Sequence, residues 1–232
     1  MKLKNYEFKS DPYQHQLDTL KSSAHRNLFA LFLEMGLGKS KILLDNAGML
    51  FEEGKISGLL IVSPKGNLNN WDSNEISRHL PERIKRNVLV WQPNHTQRWT
   101  KAFKDMVQDD STGVLNIFLV NVEAFATVKA CTHVEEFLVT HDAMMAIDES
   151  TTIKNPKAKR TKHLIKLGPL ADYRRILTGF PITKAPLDLY SQCYFLSPNL
   201  LGFSSFYAFQ ARYAITQNKH MGRHSFQQIV GF

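Results

Sequence analysis

Residues 27–40 read Asn27-Leu28-Phe29-Ala30-Leu31-Phe32-Leu33-Glu34-Met35-Gly36-Leu37-Gly38-Lys39-Ser40. The run from Asn27 to Leu33 is apolar almost throughout, as a strand buried on both faces must be. Two spaced glycines follow it. Phosphate groups need backbone N–H groups that point inward at close range, and Gly36 and Gly38 allow that geometry without side-chain bulk. A helix opening at Lys39 adds unpaired N–H groups and the positive end of its dipole. Met35 and Leu37 complete the loop. Lys39 is then placed to bring its ammonium to the β- and γ-phosphates of a nucleotide, and Ser40 to ligate Mg²⁺. The strict pattern asks for glycine five residues before Gly38, where Leu33 stands. The closest approach to phosphate falls at Gly36 to Ser40, so the physics survives the departure.

Outward from this loop, short apolar runs alternate with amphipathic stretches. Residues 39–53 carry helical spacing at Ile42, Leu43, Leu50 and Phe51 and stop at Gly54. Strands are expected over 58–62, 87–92, 114–120, 143–147 and 174–177, and helices over 68–80, 96–108 and 134–140. Strands spaced by helices imply parallel pairing with right-handed crossovers: an α/β, three-layer fold with a mostly parallel central sheet. Residues 1–198 are expected to form this unit. Residues 199–232, rich in Phe and Tyr, are expected to add a helical appendage.

The chain has 232 residues, 43% hydrophobic and 22% charged, values that exclude a disordered chain. Its longest aliphatic and aromatic run, Leu28 to Leu33, is far short of the roughly 18–20 residues of a membrane span. The N-terminus has no apolar signal-peptide core, and two cysteines cannot build a disulfide framework. A soluble, cytoplasmic protein without membrane contact is the expectation. Net charge is +8, and between Thr151 and Arg175 eight basic residues face one acid, Asp172. Such a block suits a polyanionic partner, nucleic acid first, or else a solvated basic helix face.

The second chemical signal is Met144-Met145-Ala146-Ile147-Asp148-Glu149-Ser150, an apolar strand ending in two acids. Asp148 can hold Mg²⁺ through a water while Glu149 orients and deprotonates an attacking water. An Asp-Glu pair alone is more often a solvated turn. The phosphate loop upstream favours the catalytic reading, with Lys39 as the third member.

Taken in order, these stretches resemble the first, RecA-like motor lobe of superfamily-two helicases and translocases, the Swi/Snf-type branch above all. His15-Gln16-Leu17-Asp18-Thr19-Leu20 resembles the glutamine motif, and Glu34 to Ser40 the phosphate loop. Ile61-Val62-Ser63-Pro64, with Trp71 and Glu75, resembles motif Ia. Asn121-Val122-Glu123 sits where motif Ib would. Asp148-Glu149-Ser150-Thr151 with Ile153-Lys154-Asn155 resembles the DExx box, and Leu177-Thr178-Gly179-Phe180-Pro181-Ile182 resembles motif III. The resemblance implies ATP and Mg²⁺ as cofactors, Gln16 (or Gln14) on the adenine edge, and hydrolysis that drives movement along nucleic acid, double-stranded DNA in this branch. It implies a second RecA-like lobe as partner, in cis or in trans. Thr178 would then touch the DExx box or nucleic acid. Ser63, Pro64, Lys65 and Asn121, at strand ends, would face the phosphate backbone, as would Lys154, Lys157, Lys159 and Arg160. Trp71 reads as core, with base stacking as a lesser alternative. Compact loops between motifs look more bacterial or viral than chromatin-associated.

Two stretches depart from the family pattern. Phe180 stands where threonine is usual, and Ser150-Thr151 replaces Ala-His. Motifs IV to VI, with the arginines that complete the ATP site, are not among these residues, so this stretch alone is expected to hydrolyse ATP weakly. Two other readings stay open: a different P-loop enzyme such as a kinase, and a single lobe that binds nucleic acid with ATP as a structural ligand.

Overall fold

The computed structural model describes residues 6–108, 113–221 and 224–232. Six strands, β1 (Leu28–Phe32), β2 (Gly58–Ser63), β3 (Arg86–Val90), β4 (Leu115–Asn121), β5 (Ala143–Asp148) and β6 (Tyr173–Thr178), form one sheet in the order β1-β6-β5-β2-β4-β3. Every pairing in it is parallel. The helices are α1 (Gln14–Ser23), α2 (Lys39–Glu52), α3 (Lys65–Asn70), α4 (Ile76–His79), α5 (Gln97–Gln108), α6 (Val128–Thr140), α7 (Lys159–Leu167), α8 (Leu189–Leu196) and α9 (Phe206–Tyr213). A single π-helical turn, Trp71–Glu75, joins α3 to α4. Among the described residues no helix is long and apolar enough to cross a membrane.

Strand alternation sorts side chains into two cores. Leu59, Ile61, Ile117, Leu119, Met144, Ala146 and Leu177 pack on one face with α1, α2 and the α3–α4 segment. Leu60, Val62, Phe118, Val120, Met145, Ile147 and Ile176 pack on the other with α5 to α8. All six residues of β2 and of β5 are buried, which is why these strands read as unbroken apolar runs. The register sets Phe32 beside Thr178, Asp148 beside Leu177 and Ser63 beside Asn121. The chemistry-bearing positions therefore gather along one edge, the carboxyl ends of the strands.

Most expected elements fall within two residues of their observed bounds. The sixth helix is longer than expected, beginning at Val128 rather than near Val134. The C-terminal stretch departs more. After α9, residues Ile215–Met221 (β7) and His224–Gly231 (β8) pair as an antiparallel hairpin. The expected helical appendage is thus one short helix and a hairpin. The β-propensity of Ile-Thr-Gln and Gln-Ile-Val outweighed the aromatic content that suggested a helix.

Candidate nucleotide site

A cleft of ≈ 740 Å³ lies at that strand edge. It is lined by Gln16, Met35, Gly36, Gly38, Lys39, Ser40, Asp148 and Glu149, so the two separate sequence signals converge on one cavity. Leu37 contributes its carbonyl, which accepts from Gln16 Nε2 at 3.2 Å. Gln16 is buried, and its Oε1 also accepts from the Tyr13 backbone N–H at 3.0 Å. Gln14 is exposed and bonds Asp18 instead, which decides between the two glutamines for a place at the cleft.

Gly36 and Gly38 take φ of +83° and +78°. Gly38 has no room for a Cβ, which would collide with Gln16 Nε2. Lys39 Nζ donates to the carbonyls of Leu33 (2.9 Å) and Glu34 (3.1 Å), folding the loop into a ring around its own ammonium. Lys39, Ser40 and Lys41, the first turn of α2, line the same cleft. A loop of this shape fits a polyphosphate, and the cleft has room for a nucleotide.

The two acids behave differently. Asp148 Oδ2 accepts from the Ser63 hydroxyl (2.9 Å) and the Trp71 indole N–H (3.0 Å), and Oδ1 from the Glu149 N–H (3.0 Å). Glu149 has φ +47° and ψ +59°, the only non-glycine residue at positive φ among those described. Such a conformation costs on the order of 1–3 kcal/mol and turns the Glu149 side chain out of the strand toward the cleft. Burial, then the neighbouring Asp148 charge, push its carboxyl above the usual range, against the Lys39 ammonium and the Thr178 hydroxyl. A carboxyl so raised is suited to accept a proton. Ser40 and Asp148 Oδ1 supply hard oxygen donors of the kind Mg²⁺ takes.

Several residues sit differently from what the sequence implies. Ser63 is fully buried under Asp148 and presents no surface to nucleic acid. Thr178 is 1% exposed and sits beside Glu149, so only the DExx-box contact is open to it. The Lys154 ammonium is engaged by Thr183 and by Asp188 (3.4 Å). Asp188 also accepts from the backbone N–H groups of Thr183 and Lys184. Burial opposes its ionisation, yet these donors hold its carboxyl down at about 2. Lys65, Lys157 and Lys159 are exposed, Pro64, Asn121 and Arg160 half-buried. Arg175 is buried among carbonyls and Asn46, with burial lowering its pKa to about 10, so it adds nothing to a basic surface.

Sequence reasoning missed part of the cleft wall: Ser10, Asp11 and Tyr13 before α1, and Asn67, Asn70, Arg78 and His79 along α3 and α4. Trp71 reads as core in the sequence, and at 2% exposure it is core, but its N–H is spent on Asp148. Only a π-helical turn next to a motif-Ia sequence could have hinted at this, and π turns leave no periodic signature.

The sequence model of the SNF2-related domain matches residues 15–231. The chain belongs to that family. The helicase SWR1 of Cryptococcus neoformans is 30% identical over 194 residues, spanning 82% of this chain and 14% of that protein. The ISWI chromatin-remodeling complex ATPase ISW1 of Saccharomyces cerevisiae is 28% identical over 192 residues, 82% of this chain and 16% of that protein. The Sulfolobus solfataricus SWI2/SNF2 ATPase core in complex with dsDNA superposes with a TM-score of 0.70 at 25% identity, covering 91% of this chain and 41% of that one. The SNF2-related chain therefore has the RecA-like ATPase fold. It spans a minor part of each of these relatives.

Proposed function

We propose that residues 1–232 are the ATP-binding motor lobe of a DNA-dependent ATPase of the Swi/Snf type. The observation that carries this is the convergence of Gly38, Lys39 and Ser40 with Asp148 and Glu149 in one cleft. Lys39 exchanges its two carbonyl partners for the β- and γ-phosphates. Ser40 and Asp148 would hold Mg²⁺, which would supply positive charge against the phosphates. Gln16 and Tyr13 border the base end. Glu149 orients a water whose oxygen bonds the γ-phosphorus as the bond to the bridging oxygen breaks. The water's proton passes to Glu149, and ADP and phosphate leave.

Duplex DNA is the partner this reading favours, because a relative of the same fold is an ATPase core in complex with dsDNA. Lys65 at the strand-end edge and Lys157 and Lys159 around the start of α7 offer exposed positive charge, with Arg160 half-buried beside them. A second RecA-like lobe completes the site, and the setting is the cytoplasm of a bacterial or phage-infected cell. The test is thermal unfolding with and without Mg·ADP. Ligand at a hundredfold excess over its Kd stabilises by about 2.7 kcal/mol. Lys39→Ala should fold and lose that shift. Equal shifts in both proteins remove the phosphate-loop reading.

A further inference from the structure

Trp71 and Ser63 make an unusual pair. Both are buried, at 2% and 0% exposure, and both donate to the same oxygen, Asp148 Oδ2. A carboxylate oxygen offers two lone-pair sites, so these donors fill Oδ2. Oδ1 accepts one bond, from the Glu149 N–H, and keeps one site. Asp148 can therefore meet a metal or its water in one orientation, through Oδ1 alone. Ser63 comes from the end of β2, and Trp71 opens the π turn, whose extra residue per turn re-aims the indole toward β5.

We propose that Trp71, with Ser63, is a positioning residue for the metal-holding carboxylate. It fixes the Asp148 rotamer so that only Oδ1 faces the Mg²⁺ site. This rests on the nucleotide-site reading above. Outer-shell donors of this kind typically change metal affinity by about 10–100-fold when removed. The indole bulk and the N–H can be separated, because Trp71→Phe keeps a ring in the pocket and removes the donor.

The experiment titrates Mg²⁺ into the chain with saturating ADP and reads the melting temperature. ADP alone gives the baseline, and the midpoint of the Mg²⁺-dependent rise is the observable. Trp71→Phe should move that midpoint up by about tenfold while leaving the shift by metal-free ADP in place. Ser63→Ala, nearly isosteric, should do the same and serves if Trp71→Phe does not fold. A role in packing alone would lower the melting temperature of the free protein and leave the midpoint where it is, and that result overturns the proposal. If wild type shows no response to ADP at all, the nucleotide-site reading fails first and takes this proposal with it. A normal ADP response with an unmoved Mg²⁺ midpoint in both variants sinks this proposal alone.

Discussion

Gly38 and Gln16 share one small volume. A Cβ on Gly38 would strike Gln16 Nε2, so that amide would have to give up its bonds to Tyr13 N–H and Leu37 C=O. The glycine is required twice, by space and by its φ of +78°. Gly38→Ala should therefore lower stability by about 1–3 kcal/mol and abolish the nucleotide-dependent melting shift. Denaturant unfolding with and without Mg·ADP checks both, and an intact shift would refute the clash.

The two glutamines separate cleanly. Gln16→Ala orphans the Tyr13 backbone N–H and leaves the Leu37 carbonyl with His15 alone, a loss of about 1–3 kcal/mol in loop order that should weaken ADP binding. Gln14→Ala touches only an exposed bond to Asp18 and should stay within about 0.5 kcal/mol of wild type. Calorimetric titration of both variants decides it. Equal effects would mean that neither glutamine is special.

Within α2, Asp45 pairs with Lys41 at 3.0 Å, yet it is fully buried. Burial outweighs the Lys41 bond and leaves its pKa at about 6, up from 3.8. The folded state thus holds this proton more tightly than the unfolded chain does. Asp45 contributes most to stability below pH 3.8, and that contribution fades as pH climbs to about 6. The loss is on the order of 3 kcal/mol. Comparing wild type and Asp45→Asn by urea unfolding from about pH 4 to 7 should show a flatter profile in the variant. A parallel pair of profiles counts against the assignment.

Charge reversal tests the basic face by position. Lys157→Glu with Lys159→Glu should weaken DNA binding and reduce the log–log salt slope, by about 0.9 for each duplex phosphate that is no longer neutralised. Lys154→Glu should act differently. It places a like charge beside Asp188 and should loosen the 179–188 loop, seen as a lower melting temperature without DNA. If the Lys157 and Lys159 change leaves the slope unaltered, that face is only solvated.

Hydrolysis by residues 1–232 alone should be very slow, because a cationic arginine at the γ-phosphoryl group is worth roughly 10³–10⁵ in rate and motifs IV to VI supply it in the family. Among the described residues, Arg78 is the arginine that lines the cleft and offers an internal test. Turnover that is brisk in this chain and lost in Arg78→Ala would show a finger supplied in cis. In a chain extended by a second lobe, Glu149→Gln should remove turnover and leave ADP binding intact.

The fold and the poles of the site were legible in residues 27–40 and 144–150. Strand runs such as Met144-Met145-Ala146-Ile147 are apolar on both faces because both faces are covered, and Gly36 and Gly38 are there because only glycine enters those backbone angles cheaply. Local rules of this kind act within a few residues, so one sequence displays them. The Trp71 to Asp148 bond spans 77 residues, and Gln16 meets Leu37 across 21. Their existence depends on which strands neighbour one another and on where a π turn aims an indole, and no periodicity encodes either. The same holds for charge. Arg175 and Lys154 count in the basic block, but tertiary packing spends the first on Asn46 and carbonyls and the second on Asp188. Sequence determined which residue types can do phosphate chemistry. Only the three-dimensional packing decided which of them face the cleft, since desolvation and hydrogen-bond partners are properties of neighbours that the chain brings together from afar.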